Sequence, residues 1–284
     1  MNPLQNNNEA FDALLWHSQM GVDLCVEADP QVLRAEIASV IVPPPTGGRL
    51  GGGLAGTNSV TEPPPQPSPG GGGSKVPPSS ITDAVTEART LADNATDLPA
   101  LEAAVRSFNG CALKKTATNT VFAQGVPASR LMFIGEAPGA EEDRNGVPFC
   151  GPSGQLLDRM LSFIGLKRAE NFYITNCLFW RPPGNRQPSA DELAICRPLV
   201  EKHIALLNPK ILVLVGGTAT SAILRDTRGI TRLRGQVFAY KNDYMQAEVP
   251  VHVLYHPSYL LRQPLAKKQA WADLLNLKSA LTQI

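Results

Sequence analysis

Two short motifs each follow a run of apolar residues typical of a buried strand. The sequence GEAPG at residues 135–139 comes directly after the run 131–134, and HPS at 256–258 follows the run 251–255. In open parallel sheets, ligands bind in the crevice beyond the carboxyl ends of the strands. A rigid loop with glycine and proline and a histidine delivered there can form two walls of one pocket. This pair of motifs is the strongest indication of a functional site.

Other polar residues follow the remaining apolar runs. Asn176 ends one run, Gly216-Gly217-Thr218 follows another, and Glu136 lies just ahead of the acidic residues 141–143. An asparagine side chain pairs an acceptor with donors in one plane, which suits the edge of a nucleobase. A histidine can donate to an oxygen that becomes anionic. A lone Asn here is more often a turn former and a lone His a structural residue, but their convergence favours a site.

Strand and helix patterns alternate along the second half of the chain, and these elements must position the motifs. Predicted strands lie near 131–135, 172–176, 211–215 and 251–255, and predicted helices near 154–164, 190–207, 218–225 and 267–281. Continuous apolar strands indicate a sheet covered on both faces, with parallel pairing and right-handed crossovers. The predicted fold is therefore α/β, a three-layer α/β/α sandwich with a central four-stranded parallel sheet.

The amino-terminal part has a different composition. Residues 43–78 contain ten prolines and ten glycines, a composition that cannot bury enough apolar surface to fold. We therefore divide the chain into a short helical segment at 1–42, a disordered linker at 43–79 and a catalytic domain at 80–284. Residues 8–27 have apolar side chains at helical spacing, which fits either a protein partner or docking back on the domain. Residues 81–108 predict two helices broken near 97–99.

Charge and cysteine content narrow the class of protein. Residues 1–105 hold 4 Lys and Arg against 12 Asp and Glu, whereas residues 106–284 hold 22 against 13. The basic domain raises the expectation of a polyanionic partner. No 18-residue apolar run and no secretory signal pattern occur, and the five cysteines include no CxxC pair. We expect a cytoplasmic protein without a membrane segment or disulfide scaffold.

Several motifs together resemble the family 4 uracil-DNA glycosylases. They are GEAPG at 135–139, GVPF at 146–149, GQLL at 154–157, YITN at 173–176, RPPGNR at 181–186 and HPSYLLR at 256–262. The resemblance extends from about residue 110 to the last residue, in the order and spacing of the family. It implies a DNA glycosylase that flips uracil out of DNA and hydrolyses its N-glycosidic bond, leaving an abasic site for base excision repair.

The resemblance also implies roles for individual residues. His256 would donate to O2 of the departing uracil, and Glu136 or Glu142 would orient water or stabilise the sugar cation. Asn176 would pair with the O4 and N3–H edge of uracil, and Phe149 would stack on the flipped ring. Uracil would also contact Gly135 and Ala137. The expected DNA contacts are Ser153, Gly154, Gln155, Arg181, Asn185, Arg186, Ser258 and Arg262, with Leu260 or Leu261 as an apolar wedge.

One departure from the family concerns its iron–sulfur cluster. Members usually hold a [4Fe-4S] cluster through four cysteines, whose positions here are Phe108, Cys111, Trp180 and Cys196. Two ligands are thus replaced by large aromatic rings that cannot coordinate iron. We expect no metal and no cofactor, with a cluster completed by Cys150 and Cys177 as the disfavoured alternative. Cys111 and Cys196 would remain as buried thiols.

The alternative function is that of a protein that binds and traps uracil-containing DNA with little turnover. A related trapping group carries a histidine in a basic loop and glutamine in the glycine motif. This chain has Ala137 and reads TRLRGQ at 231–236 without such a histidine. The first loop lacks the GxGxxG pattern, and zinc-deaminase ligands are absent. We expect a monomer that acts on uracil-containing DNA.

Overall fold

A six-stranded sheet forms the centre of the protein in a computed structural model that describes Trp16 and residues 78–283. The strands are β1 (Ala123–Gly125), β2 (Leu131–Gly135), β3 (Tyr173–Asn176), β4 (Ile211–Val215), β5 (Val237–Tyr240) and β6 (Val249–Leu254), in the spatial order β1-β3-β2-β4-β6-β5. The four inner strands are parallel, and the edge strands β1 and β5 run antiparallel to their neighbours. The predicted four-stranded parallel sheet is confirmed, with two antiparallel edges added.

The pairing register aligns the carboxyl ends of the inner strands. Gly135, the last residue of β2, pairs with Asn176, the last residue of β3. On the other side, Val215 at the end of β4 pairs with Leu254 at the end of β6. The residues that follow these strands therefore lie at one edge of the sheet, as the sequence predicts.

Helices cover both faces of the sheet. They are α1 (Pro78–Asn94), α2 (Leu98–Ser107), α3 (Ala140–Asn145), α4 (Pro152–Ser162), α5 (Ala190–Leu207), α6 (Gly217–Leu224), α7 (Ile230–Leu233), α8 (Pro257–Arg262) and α9 (Lys267–Leu281). Alternate strand residues point to opposite faces, so Met132 and Leu212 belong to the core beneath α1, α2 and α5. Phe133 and Val213 belong to the second core, beneath α4, α8 and α9. The three-layer arrangement is confirmed.

Local capping explains where the helices begin. The side chain of Asp97 accepts a hydrogen bond from the backbone N–H of Ala100 at 2.8 Å and so starts α2. This is the predicted break within 81–108. Ser189 and Glu192 form a reciprocal capping box at the start of α5. α5 thereby begins directly after the RPPGNR loop and fixes one end of it.

Of the predicted amino-terminal segment and linker, the structure describes Trp16 and residues 78–79, and α1 begins at Pro78, within the last two residues of the predicted linker. The Trp16 side chain is fully buried, stacks on Trp271 at 5.1 Å between ring centroids and meets the edge of Phe163 at 5.4 Å. The rest of the predicted 1–42 segment, including the rest of the 8–27 helix, and linker residues 43–77 lie outside the described residues. None of the helices in the described part is long and apolar enough to cross a membrane.

Candidate active site

A cleft of about 710 Å³ opens at the carboxyl ends of the parallel strands. Its lining includes most of the predicted catalytic and uracil-binding residues, namely Glu136, Ala137, Glu142, Phe149, Asn176 and His256. The volume lies in the range of pockets that hold small organic ligands. The GEAPG and HPS motifs therefore form walls of one pocket, as their positions after β2 and β6 predict.

Gly135 permits close packing behind the cleft lining, at the end of β2. A Cβ atom at this position would lie 2.3 Å from Cζ of Phe149 and 2.5 Å from Oδ1 of Asn176. Any larger residue would displace both the aromatic ring and the carboxamide. The glycine thus acts through its missing side chain, which lets Phe149 and Asn176 meet at the end of β2.

Asn176 presents an unpaired carboxamide to the cleft. The residue is 1% exposed, and Oδ1 makes no hydrogen bond with any described residue. Buried side-chain polar atoms are nearly always paired, so an orphan at a pocket wall indicates a ligand that supplies the partner. The planar acceptor and donors of the carboxamide match the complementary edge of a pyrimidine.

The orientation of His256 follows from its position as the cap of α8. The backbone N–H of Ser258 donates to Nδ1 of His256 at 3.2 Å, and the Ser258 hydroxyl lies 2.8 Å from the same atom. Because a backbone N–H can only donate, Nδ1 is an acceptor and the ring proton of the neutral form sits on Nε2. Burial, with a smaller effect of Arg262 and opposition from Glu142, lowers the pKa of His256 to about 4. Near neutral pH, His256 is an uncharged donor through Nε2.

Two neighbours fix the place of the His256 ring. Gly216 has φ +98°, and a Cβ there would lie 3.0 Å from Cβ of His256. The left-handed glycine at the end of β4 therefore allows the close approach of the β6 loop. The rings of His256 and Phe149 lie 6.0 Å apart between centroids with planes at 35°. They form adjacent walls of the cleft.

The two candidate glutamates differ in how their carboxylates are used. Glu142 accepts from Gly139 N at 3.1 Å with one oxygen and from Gly151 N at 2.8 Å with the other. It therefore ties the GEAPG loop to the start of α4. Glu136 is half-buried in the cleft lining, and its carboxylate hydrogen-bonds to no described residue. Glu136 is the carboxylate that remains available to a ligand or a water molecule.

The acidic turn at residues 141–143 is not a solvated surface feature as a whole. Buried Asp143 accepts from the backbone N–H groups of Thr118 and Asn119 at 2.8 and 3.0 Å. Only Glu141 makes a surface ion pair, with Arg144. The turn therefore holds neighbouring loops in place on both of its sides.

The predicted DNA contacts come from three segments, namely the first turn of α4, the RPPGNR loop and the residues after His256, and only some of them line the cleft. Ser153 lines the cleft in the first turn of α4, where Gly154 is buried and Gln155 is exposed. In the RPPGNR loop, Arg181 donates to Oδ1 of Asn185 at 2.6 Å.

Arg186 of the same loop is tied to the start of α5. Its guanidinium donates to both carboxylate oxygens of Glu192 at 2.6 and 2.9 Å. Asn185 and Arg186 still line the cleft, whereas Arg181 is not part of its lining. The loop is therefore held in shape by its own polar side chains.

The residues after His256 separate into exposed and buried positions. Arg262 is exposed, lines the cleft and hydrogen-bonds to no described residue. Leu260 is fully buried in the core beneath α8, which does not fit a wedge inserted into DNA. Leu261 is 48% exposed and is the apolar side chain available for that role. Ser258 contacts His256 and lines the cleft.

Sequence analysis placed only Gly216-Gly217-Thr218 on one side of the cleft and missed the rest of that side. The missed residues are Ser221, Asp226, Thr227, Gly229, Ile230 and Leu233, with Gln187 and Tyr259 elsewhere on the rim. The signal available was the Gly216-Gly217-Thr218 turn after β4, which places α6 at the same edge of the sheet. Arg168, which contacts the Phe149 loop, carried no motif signal.

The four positions at which the family usually has cluster cysteines all belong to one hydrophobic core, and none of them lines the cleft. The rings of Phe108 and Trp180 are 6.3 Å apart between centroids, and both residues are buried. Cys111 and Cys196 are also buried, and a hydrogen bond between the thiols lowers the pKa of Cys111 and raises that of Cys196. Among the described residues, no group of three or more His, Cys, Asp or Glu side chains could hold a metal ion.

Comparison with known proteins decides the family. A model of the uracil DNA glycosylase superfamily matches residues 122–275, which include every predicted catalytic and uracil-binding residue. The chain belongs to this superfamily.

Its relatives place it among the type-4 members. A type-4 uracil-DNA glycosylase of Sulfurisphaera tokodaii is 38% identical over 169 residues, covering 58% of this chain and 76% of the relative. Relatives with the same name from Archaeoglobus fulgidus and Thermotoga maritima are 36% and 37% identical. They cover 60% and 56% of this chain and 85% and 80% of their own length. The resemblance seen in the motifs is confirmed, and this glycosylase carries an amino-terminal part outside the match.

Proposed function

We propose that this protein removes uracil from DNA by hydrolysing the N-glycosidic bond, leaving an abasic site. The observation that carries the proposal is the convergence of an unpaired Asn176 carboxamide, a neutral His256 and a free Glu136 carboxylate in one cleft. These groups match the edge, the O2 atom and the sugar side of a deoxyuridine. The names of the type-4 relatives agree with this chemistry.

Recognition of the base uses Asn176 and Phe149. The carboxamide of Asn176 accepts from N3–H and donates to O4 of uracil, whereas cytosine presents the opposite polarity at the same edge. Leaving a buried polar group unpaired is what makes such a site reject the wrong base. Phe149 supplies an aromatic face that recovers part of the cost of unstacking the nucleotide. Ala137 lines the adjoining wall, and Gly135 behind it lets Phe149 and Asn176 meet.

His256 stabilises the leaving group. Cleavage moves negative charge onto the uracil ring, and Nε2–H of a neutral histidine donates to the oxygen where that charge develops. A well-aimed donor of this kind contributes about 100- to 1000-fold in rate. Ser258 keeps the ring in the required tautomer through its N–H and hydroxyl.

The two glutamates have different roles in the proposed reaction. Glu136 is free to orient the attacking water or to stabilise the positive charge on the sugar. Glu142 has both oxygens committed to backbone N–H groups, so it holds the GEAPG loop against the start of α4.

The surroundings of the cleft provide contacts for a DNA backbone. Ser153, Gly154 and Gln155 lie in the first turn of α4, whose free N–H groups suit a phosphate. Arg262 and the RPPGNR loop, with Arg181 and Arg186, add positive charge. Leu261 would fill the gap left by the flipped nucleotide.

The protein works without an iron–sulfur cluster in our proposal. Phe108 folds over Gly110, where a Cβ would lie 2.5 Å from the Phe108 ring. Nε1 of Trp180 donates to Oγ1 of Thr120 at 3.0 Å. The two rings thus take the place of two cysteine ligands, and the remaining thiols, Cys111 and Cys196, are buried and shift each other's pKa in opposite directions. A cluster held by four cysteines does not fit this arrangement.

The proposal extends to assembly and location. Both walls of the cleft come from one chain, so a monomer is sufficient for the reaction. Uracil-containing DNA is the proposed partner, and the proposed location is the cytoplasm. Trp16 packing on Trp271 supports docking of the amino-terminal segment back on the domain, although a protein partner through residues 8–27 is the competing hypothesis.

The test is incubation of the purified protein with a uracil-containing oligonucleotide, followed by alkaline cleavage at abasic sites. We expect strand cleavage at uracil, loss of about 100-fold or more with His256→Ala, and a comparable loss with Asn176→Ala. His252→Ala is the matched control, because His252 lies in β6, the strand that leads to His256, and does not line the cleft. An intact strand with the wild-type protein would contradict the proposal, and a complex that survives SDS would favour trapping.

A further inference from the structure

Phe149 is held in a backbone conformation that it would not adopt unaided. Its φ is +53°, in the left-handed region that disfavours bulky residues. Such strain persists only where the surroundings over-determine it, and it is concentrated at functional sites. Contacts to the backbone of Phe149 must therefore impose this conformation.

The main contact is the guanidinium of Arg168, which lies in the loop between α4 and β3. It donates to the carbonyl oxygens of Pro148 at 2.6 Å and Phe149 at 2.9 Å. It also binds Oδ1 of Asp158 through Nε at 3.2 Å and through a terminal nitrogen at 2.9 Å, and Oε1 of Gln124 at 3.0 Å. All three guanidinium nitrogens are used, and the side chain is 12% exposed.

These contacts fix the Phe149 loop to two elements of the framework. Asp158 belongs to α4 and Gln124 to the edge strand β1, so the guanidinium joins a helix, a strand and the two carbonyls. From the other side, Gly154 presses against the loop, where a Cβ would lie 1.7 Å from the Phe149 carbonyl oxygen. The Phe149 carbonyl is thus enclosed between Arg168 and the first turn of α4.

We infer that Arg168 is a positioning residue for base recognition, which sets the Phe149 ring by holding its backbone in the left-handed conformation. Arg168 itself does not line the cleft, so its effect reaches the base only through Phe149. The planar fork of arginine matches several carbonyl and carboxylate acceptors at once, which a lysine ammonium cannot reproduce. The inference rests on the proposed function, because it assigns the ring to a flipped uracil.

A double-mutant cycle with Phe149→Ala tests the coupling. We expect Arg168→Ala to lower kcat/KM for uracil excision by about 10- to 100-fold, since small misplacements of a binding group have effects of this size. Arg168→Lys should recover little of the loss. Once Phe149 is already alanine, the added Arg168→Ala change should have almost no further effect. The inference would be overturned if the losses in kcat/KM of the two single variants multiplied in the double variant. Full activity of Arg168→Ala would also overturn it.

Matched controls separate positioning from loss of folding. Arg234 is also largely buried and forms a bidentate pair with Asp273 and a bond to the Gln269 carbonyl, but it does not line the cleft. Arg234→Ala should lower thermal stability without raising the inhibition constant of free uracil. Arg168→Ala should raise that constant while binding of uracil-free DNA stays unchanged.

A crystal structure of Arg168→Ala gives a readout that does not depend on catalysis. We expect Phe149 to leave the left-handed region, and its ring to move away from Gly135. An unchanged φ at Phe149 would overturn the inference even in an active enzyme. Conversely, a wild-type protein that releases no uracil would refute the proposed function, while the structural outcome would still decide the role of Arg168.

Discussion

The cleft and the aromatic cluster of Phe108 and Trp180 differ in how completely the chain satisfies its own polar groups. In the cluster, Trp180 Nε1 is paired with Thr120, and Lys114 donates to the Phe108 carbonyl at 2.9 Å. In the cleft, the side chains of Asn176 and Glu136 have no described partner. Folding alone pairs these polar groups of the aromatic cluster, whereas the cleft leaves polar groups for a ligand to pair.

The backbone follows the same division. The cluster residues Phe108 and Trp180 have no positive φ, whereas Phe149 in the cleft does. Gly216, which also lines the cleft and has a positive φ, lets His256 approach the end of β4 more closely than a side chain would allow. In the cleft, the strained backbone of Phe149 and the unpaired Oδ1 of Asn176 occur side by side, and a bound ligand can supply the missing hydrogen-bond partner. Stability and activity should therefore be separable by mutation.

The largest expected effect is on stability, from Phe108→Ala in the aromatic cluster. Removing a fully buried phenylalanine costs about 3–5 kcal/mol in the free energy of unfolding. Denaturant unfolding measures this loss, and the excision rate of the folded variant should be unchanged. Trp180→Phe is the matched control, which keeps a ring but loses the bond to Thr120 at a cost of about 1 kcal/mol.

Iron content gives the same region a second test. The wild-type protein, expressed and purified without oxygen, should contain no stoichiometric iron and no broad visible absorption. The double change Phe108→Cys with Trp180→Cys restores four cysteines and should gain both signals on reconstitution with iron and sulfide. Stoichiometric iron in the wild type would contradict the proposal that aromatic rings replace the cluster.

A smaller effect should distinguish the two glutamates, one acting on activity and the other mainly on stability. Glu136→Gln removes the only free carboxylate of the pair and should lower kcat by about 100-fold, within the range for general catalysis by one group. Glu142→Gln keeps one oxygen acceptor and should lower thermal stability more than kcat. Single-turnover rates and melting temperatures measure the two effects. The reverse pattern would make Glu142 the residue that acts on the substrate.

How far the sequence predicts this molecule depends on the range of the interactions involved. Continuous apolar runs predict the four parallel strands, because both faces of the sheet are buried, and the loops after them predict the cleft. The edge strands β1 and β5 are short and half-exposed, so their patterns are weak. Neighbouring Leu260 and Leu261 are indistinguishable in sequence, yet helix α8 buries one and exposes the other.

Three-dimensional contacts decide the remaining assignments. That Glu142 ties two loops together follows from Gly151, nine residues away, rather than from the acidic run itself. The role of Arg168 depends on acceptors at Gln124, Pro148, Phe149 and Asp158, which are brought together only by the fold. Such positions carry no local pattern. Sequence thus predicts the groups that face the ligand better than the groups that hold them.

The smallest expected effect on rate concerns pH, and it compares half-buried His256 in the cleft with His203, a fully buried histidine outside the cleft lining. Burial lowers the pKa of His256 to about 4 and that of His203, which lies 3.0 Å from the Tyr173 hydroxyl, to about 3. In the unfolded chain both titrate near the ordinary value of about 6.5. The unfolded state therefore binds more protons below that value. Stability is present above about pH 6.5 and is lost as the pH falls toward 4.

Catalysis should depend on only one of these histidines. Because His256 stays neutral until about pH 4, its titration should leave kcat nearly constant between about pH 8 and 5. His203→Phe should reduce the acid sensitivity of unfolding and leave this rate profile unchanged, since His203 is absent from the cleft lining. Single-turnover rates at saturating enzyme, with unfolding followed at each pH, measure both. A rate that halves near pH 6.5 in the folded wild type would show that His256 becomes protonated in that range. It would contradict the proposal that a neutral His256, with Nδ1 as acceptor, donates to uracil through Nε2–H.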